Sequence, residues 1–261
     1  MRSSDGRILD LGTKGSGQTP FSRTADGRLT LKGAVREILA TEMLEALGVN
    51  TSRTLSVIET GEALQRNDEP SPTRAAVLVR LSHSHIRIGS FQRLSFLDDH
   101  EGLEMLVRHT ARHYFADQLQ ADGDLEALVP AFLRAVASAV ATTAGAWLAA
   151  GFVHGVLNTD NFNVTGESFD YGPWRFLPHF DPGFTAAYFD QTSRYAYGRQ
   201  ADASMWAMCR LADCFMAFCD KQTLEEQLHD FYPQMETALA AGLARRCLLY
   251  TSDAADETCR V

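Results

Sequence analysis

The order of hydrophobic patterns along these 261 residues predicts an α+β chain, with strands in the first 97 residues and helices after residue 98. Two-residue alternation occurs only ahead of Asp98, and beyond it apolar residues recur at helical spacing, above all in an alanine-rich run over 125–150. A loop rich in Gly, Asn and Asp over 154–172 interrupts the helices.

Residues 7–14 alternate like an edge or half-buried strand and end in Lys14 and the flexible Gly15-Ser16-Gly17. A turn at Ala25-Asp26-Gly27-Arg28 leads to a helix over 31–47, whose apolar positions 35, 38, 39, 43, 44 and 47 form one stripe closed by Gly48. Strands follow over 53–59 and 75–81, separated by a polar loop holding Pro70 and Pro72. Helices are expected over 101–115, 125–150, 201–218 and 223–245. Residues 162–164 and 168–170 flank Thr165-Gly166-Glu167 as a short hairpin that would bring Asn161 and Asp170 together at its open end. There is no internal repeat and no low-complexity linker.

A formal net charge of -9 argues against a general nucleic-acid or anionic-membrane binder, which needs a basic face. No apolar run reaches the roughly 18 residues that span a bilayer, and the start Met1-Arg2-Ser3-Ser4-Asp5-Gly6 lacks the apolar stretch of a signal peptide. The expected setting is cytoplasmic. Cys209, Cys214 and Cys219 recur every five residues in one helical stretch, which scatters them around its axis and makes them small buried or half-buried thiols, not a metal site. The last 15 residues, 247–261, with Cys247 and Cys259, resemble the translation of a transposase sequencing adapter. They are expected to be non-native, in a protein that was longer at this end.

The chemistry concentrates in His154-Gly155-Val156-Leu157-Asn158-Thr159-Asp160-Asn161 and, nine positions on, Asp170-Tyr171-Gly172. A protein kinase writes this segment H-R-D-x-x-x-x-N and then D-F-G, using the first Asp as base and the Asn and second Asp to hold Mg²⁺. Here His154 and Asn161 keep the spacing, but Val156 stands where the base belongs and a carboxylate reappears at Asp160. Strand, helix, strand, strand is also the order of a kinase small lobe from its lysine strand onward. The expected architecture is thus a protein-kinase-like, pseudokinase two-lobe fold: a partial β-rich N-lobe over 1–97 and a helical C-lobe over 98–246.

Six separated stretches, 14–23, Asp26-Gly-Arg28, Val35-Arg-Glu-Ile-Leu39, 155–161, Phe169-Asp-Tyr-Gly-Pro173 and 194–200, together resemble the selenoprotein O (YdiU) family, over nearly all of residues 7–245. The resemblance implies transfer of AMP from ATP to Ser, Thr or Tyr hydroxyls of partner proteins, with Mg²⁺ (or Mn²⁺) and a nucleotide bound in a flipped orientation. It implies that Lys14 binds phosphate and that Glu37 orients it. Asp26, Gly27, Arg80, Arg87 and Asp170 would contact the nucleotide, Asp160 would be the general base, and Asn161 and Asp170 the metal ligands. The family's glycine-rich loop precedes the lysine strand and a long region follows the C-lobe. Neither is in this sequence, which is expected to be an internal piece lacking the first strands of its N-lobe.

Each residue also has a blander reading. Asp160 and Asn161 can be turn caps, Lys14 a solvent-facing lysine with Glu42 as its other helical partner, and Arg80 and Arg87 surface charges. His154 is read as a brace for the loop backbone, Gly155 as a tight-turn residue, and the tract 188–197 with Arg194, Tyr195 and Tyr197 as packing. The competing functions are a non-catalytic ATP-binding module and a small-molecule kinase, which would want Asp in place of Val156.

Overall fold

The computed structural model describes residues 2, 6–20, 22, 24–67 and 69–258, with side chains as far as residue 247. The chain is mixed α and β. Its sheet is built on β4 (Thr73–Ser82), whose one edge carries β3 (Arg53–Leu64) while β1 (Asp10–Lys14) and β2 (Leu29–Thr30) follow one another along the other, all antiparallel. Both edges of β4 are paired, so every second residue near its end, Leu78, Arg80 and Ser82, points inward and is buried.

Helix α1 (Leu31–Ala46) starts at Thr30, whose hydroxyl accepts the Gly33 N–H at 3.0 Å, and lies against the sheet. Its buried face is Ala34, Glu37, Ala40, Thr41 and Leu44; of the stripe expected from the sequence Leu44 is buried and Ile38 and Leu47 half-buried. Val35, Leu39 and Met43 are 44%, 50% and 43% exposed. Two alanines let the helix approach the sheet closely, and the Lys14–Glu37 ion pair selects which face turns inward.

The chain then forms α2 (Ile88–Phe96), an element absent from the sequence reading, α3 (His100–Tyr114) and α4 (Leu125–Ala150). After the central loop come α5 (Gln200–Asp213), α6 (Lys221–Glu226) and α7 (Phe231–Thr258). α5 stops five residues short of expectation, and the single helix expected over 223–245 is two, broken between 227 and 230. The segment expected to fall outside the fold continues the α7 backbone to Thr258, while 259–261 lie outside the described residues.

α4 is the spine of the helical part, and Phe91, Phe132, Phe215 and Trp147 pack in the core around it. By length and composition it is apolar enough to cross a membrane, which corrects the sequence reading; two-thirds of its most apolar stretch is buried inside the fold. Gly145 admits α7 so closely that a Cβ there would sit 2.4 Å from the Met235 carbonyl oxygen. Pro130 removes the N–H that would bond the Glu126 carbonyl, and the Cys219 thiol donates to that oxygen instead, at 3.9 Å. Cys214 is buried and Cys209 and Cys219 half-buried.

The hairpin expected over 162–170 does not form. Its first arm pairs with the segment before α2 (Val164 N–H to Ile86 O, 3.1 Å; Ile88 N–H to Phe162 O, 3.1 Å), and its second with the entry to β3 (Ser168 N–H to Asn50 O, 2.9 Å; Ser52 N–H to Ser168 O, 3.0 Å). Only the turn between them survives, closed by the Gly166 N–H on Asn163 O at 2.9 Å. Partners distant in sequence satisfy these backbone groups better than the arms satisfy each other. Two short strands, β5 (Phe152–Val153) and β6 (Arg175–Phe176), pair across the loop.

Candidate active site

Three cations converge on one carboxylate. Lys14, at the end of β1, places Nζ 2.6 Å from Asp170 Oδ1. Arg80 from β4 reaches the same oxygen at 3.1 Å, and Arg87, just before α2, reaches Oδ2 at 3.1 Å. Lys14 also pairs with Glu37, which is 1% exposed on the sheet-facing side of α1, whereas Glu42 is exposed. The ring of Phe169 lies beneath both guanidiniums, 5.1 Å from Arg80 and 5.0 Å from Arg87.

Burial alone would raise the Asp170 pKa, but the charges of Lys14, Arg80 and Arg87 outweigh it and hold the carboxyl far below the usual range. For Lys14 burial acts downward, and Glu37 and Asp170 overcome it, so the ammonium is kept charged. Burial pushes Glu37 upward against the pull of Lys14. Asp170 adopts a left-handed backbone, φ 65°, rare for a residue with a side chain. Its neighbours fix it there: Ser168 accepts from Trp147 Nε1 at 2.9 Å, Phe169 O meets His154 Nε2 at 3.0 Å, and the Tyr171 hydroxyl bonds Thr51.

His154 is fully buried, its N–H donates to Gln200 Oε1 at 2.9 Å, and Gln200 returns a bond to Phe152 O at 2.8 Å. That geometry braces the loop. Gly155 has φ 85° with Ala186 and Pro173 packed against it, so a side chain would not fit. Thr159–Asn161 form a 3₁₀ turn capped by the Asn158 side chain, which accepts the Asp160 N–H at 3.1 Å. The side-chain cap of this turn is thus Asn158.

Asp160 is half-buried and lies against the first turn of α2: a Cβ on Gly89 would come within 2.0 Å of its Oδ1. Asn161 donates Nδ2 to Val156 O at 2.8 Å, which aims its amide and leaves Oδ1 without a hydrogen bond from the described residues.

No cluster of three or more His, Cys, Asp or Glu able to hold a metal occurs among the described residues. The donor set to test is therefore smaller: Asn161 Oδ1 and the Asp170 carboxylate, both hard oxygens. By donor type these suit Mg²⁺ or Mn²⁺, which keep waters and complete their shell with substrate phosphates, and both Asp170 oxygens are engaged here by Lys14, Arg80 and Arg87.

Asp26 and Gly27 sit at the turn beside the end of β1. Asp26 accepts from Arg66 Nη1 at 2.8 Å and from the Arg28 N–H at 2.9 Å, and these bonds lower its pKa. Gly27, φ 67°, leaves no room for a Cβ, which would lie 2.2 Å from Gly17 O. No hydrogen bond or ion pair among the described residues joins Asp26 to the Asp170 cluster.

The sequence reading missed Gly89 and Glu167. Glu167 accepts from Ser82 Oγ at 2.6 Å and from the His83 N–H at 2.8 Å, anchoring the segment between Arg80 and Arg87 to the Asp170 loop. Its only sequence signal was a polar residue in a turn. In the aromatic tract, Tyr197 packs as expected, donating to Leu148 O at 2.6 Å, but Tyr188 and Phe189 are 78% and 54% exposed.

The family model described as protein adenylyltransferase SelO matches residues 1–258. Curated proteins named protein nucleotidyltransferase YdiU are similar. The one from Synechocystis sp. is 49% identical over 231 residues, 88% of this chain and 48% of that protein. The one from Gloeobacter violaceus is 55% identical over 200 residues (77% and 41%), and that from Azotobacter vinelandii 39% over 256 residues (98% and 51%). The chain spans about half the length of the curated relatives it matches.

Proposed function

From the chain's membership of the SelO family of protein adenylyltransferases, we propose that it forms the nucleotide site of an enzyme that transfers AMP from ATP to Ser, Thr or Tyr hydroxyls of other proteins, on a kinase-like two-lobe fold. The observation that carries this reading is the convergence of Lys14, Arg80 and Arg87 on Asp170. Three fixed cations against two carboxylates, Glu37 and Asp170, leave a net positive site in a chain of net charge -9. That surplus favours an anionic ligand such as a triphosphate.

In the proposed reaction the acceptor hydroxyl oxygen bonds the α-phosphorus while the bond from that phosphorus to the bridging oxygen breaks and pyrophosphate leaves. The proton goes to Asp160, whose carboxylate lies against Gly89 in the first turn of α2. Lys14, kept charged by Glu37, and the two arginines hold phosphate oxygens and orient the chain of phosphates for in-line attack. Asn161 and Asp170 would hold Mg²⁺ (or Mn²⁺), which supplies charge neutralisation on those oxygens when bound. Asp26 and Gly27 are assigned to the nucleotide on motif position alone.

Labelled ATP tests the proposal. Label from the α-phosphate should enter acceptor protein and be lost in Asp170→Asn. Label from the γ-phosphate alone would mean a kinase, and calorimetric ATP binding with neither label transferred would mean a non-catalytic module.

A further inference from the structure

A second cationic feature lies on the other side of the Asp170-Tyr171-Gly172 turn. A cavity of about 450 Å³ opens between α1 and the segment after that turn, lined by Lys32, Arg36, Glu69, Arg175, Tyr188 and Phe189 among others. Arg36 and Arg175 both donate to one neutral acceptor, the Trp174 carbonyl oxygen, at 2.7 and 3.1 Å, so their guanidiniums are held side by side. Arg36 also reaches Gly172 O at 3.3 Å and stacks on the Trp174 ring at 4.8 Å. Lys32 is matched by Glu69 at 3.4 Å. Neither arginine has a carboxylate partner among the described residues. Burial first, and then the like charge of Arg175, lower the Arg36 pKa.

We propose that this cavity is an anion site for a phosphate group, gripped by the paired forks of Arg36 and Arg175. Planar guanidiniums presented together match a phosphate's oxygens better than any neutral ligand. Arg36 is the residue before Glu37 and Arg175 follows Asp170 by five positions, so a bound phosphate ties α1 to the metal turn and stiffens the Lys14–Glu37–Asp170 cluster from behind. The phosphate is either free in solution or carried on a hydroxyl of the adjoining 185–193 segment, where Thr185, Tyr188, Thr192 and Ser193 are available. The proposal holds whether or not the chain transfers AMP.

The test titrates the full chain with inorganic phosphate at fixed ionic strength, by calorimetry and by melting midpoint, for the parent, R36Q/R175Q and R74Q. Loss of two charge-assisted forks should weaken binding on the order of 10- to 100-fold, while R74Q, which removes an exposed arginine paired with Glu59 outside the cavity, keeps the affinity. Equal affinity in the parent and the double variant overturns the proposal, as does an equal loss of binding in R74Q. Should the double variant melt too low to titrate, R175Q, whose exposed side chain bonds only carbonyls, gives the same reading. Intact-mass and peptide mapping then separate the sources: one added phosphoryl group on 185–193 identifies the covalent one, and unmodified chain with arginine-dependent phosphate affinity identifies the free one.

Discussion

At Gly89 the backbone of α2 approaches the Asp160 carboxylate so closely that one methyl group would displace it. Gly89→Ala should therefore lower AMP transfer by about 10²- to 10⁴-fold, the range for a lost general base. Its melting midpoint should hold or rise, because alanine favours helix over glycine. Parent-level transfer in that variant would remove the assignment of Asp160. The Lys14–Glu37 pair makes a different demand. Lys14→Met leaves Glu37 buried beside Asp170 and should cost about 3–5 kcal/mol in urea unfolding. Most of that loss should return in Lys14→Met combined with Glu37→Leu, since the pair's absence is cheaper than half of it.

The elements are tied together at a few close contacts, and these set their sensitivity. Gly145→Val drives a side chain into the α7 backbone at Met235 and should destabilise the chain by about 1–3 kcal/mol or more. Circular dichroism melts would show it, and an unchanged midpoint would mean that α7 does not rest on α4 as described. Glu167→Ala strips the acceptor from Ser82 Oγ and the His83 N–H and should cost about 1–3 kcal/mol. It should also weaken ATP binding, because Arg80 and Arg87 lie on either side of the freed segment.

Across the whole molecule, pH acts through groups whose burial differs most from the unfolded chain. His85 is pushed down to about 4 from its ordinary 6.5, by burial and then by Arg80. The unfolded chain thus takes the proton first as pH falls, and stability declines from about pH 6.5 to about 4. Buried His154, shifted the same way, adds to the decline. Asp170, held far below its ordinary 3.8, contributes stability that is present above that value and is lost as acid approaches its depressed pKa. Glu37 opposes this, since burial raises it. The urea midpoint should fall steadily between pH 7 and 4, and His85→Gln should flatten the slope; an unaltered slope would exclude His85 as its source.

Local pattern sufficed for α4, whose limits follow from 26 residues of helical spacing. Lys14 and Glu37 were legible as a pair because strand, turn and helix succeed one another directly. Periodicity shows that α1 has an apolar stripe but not which part of it the fold accepts, so Val35, Leu39 and Met43 turned outward while Leu44 turned in with Ala34, Ala40, Thr41 and one acid, Glu37. The 162–170 arms read as a hairpin because adjacency in sequence is all a pattern can weigh; in the fold, residues 50–52 and 86–88 compete for the same backbone groups and win. Gly89, Glu167 and the Arg36–Arg175 pair carry no periodic signal at all. Their roles arise from separations of a few ångströms between residues tens to more than a hundred positions apart, and only packing of the whole chain sets those distances.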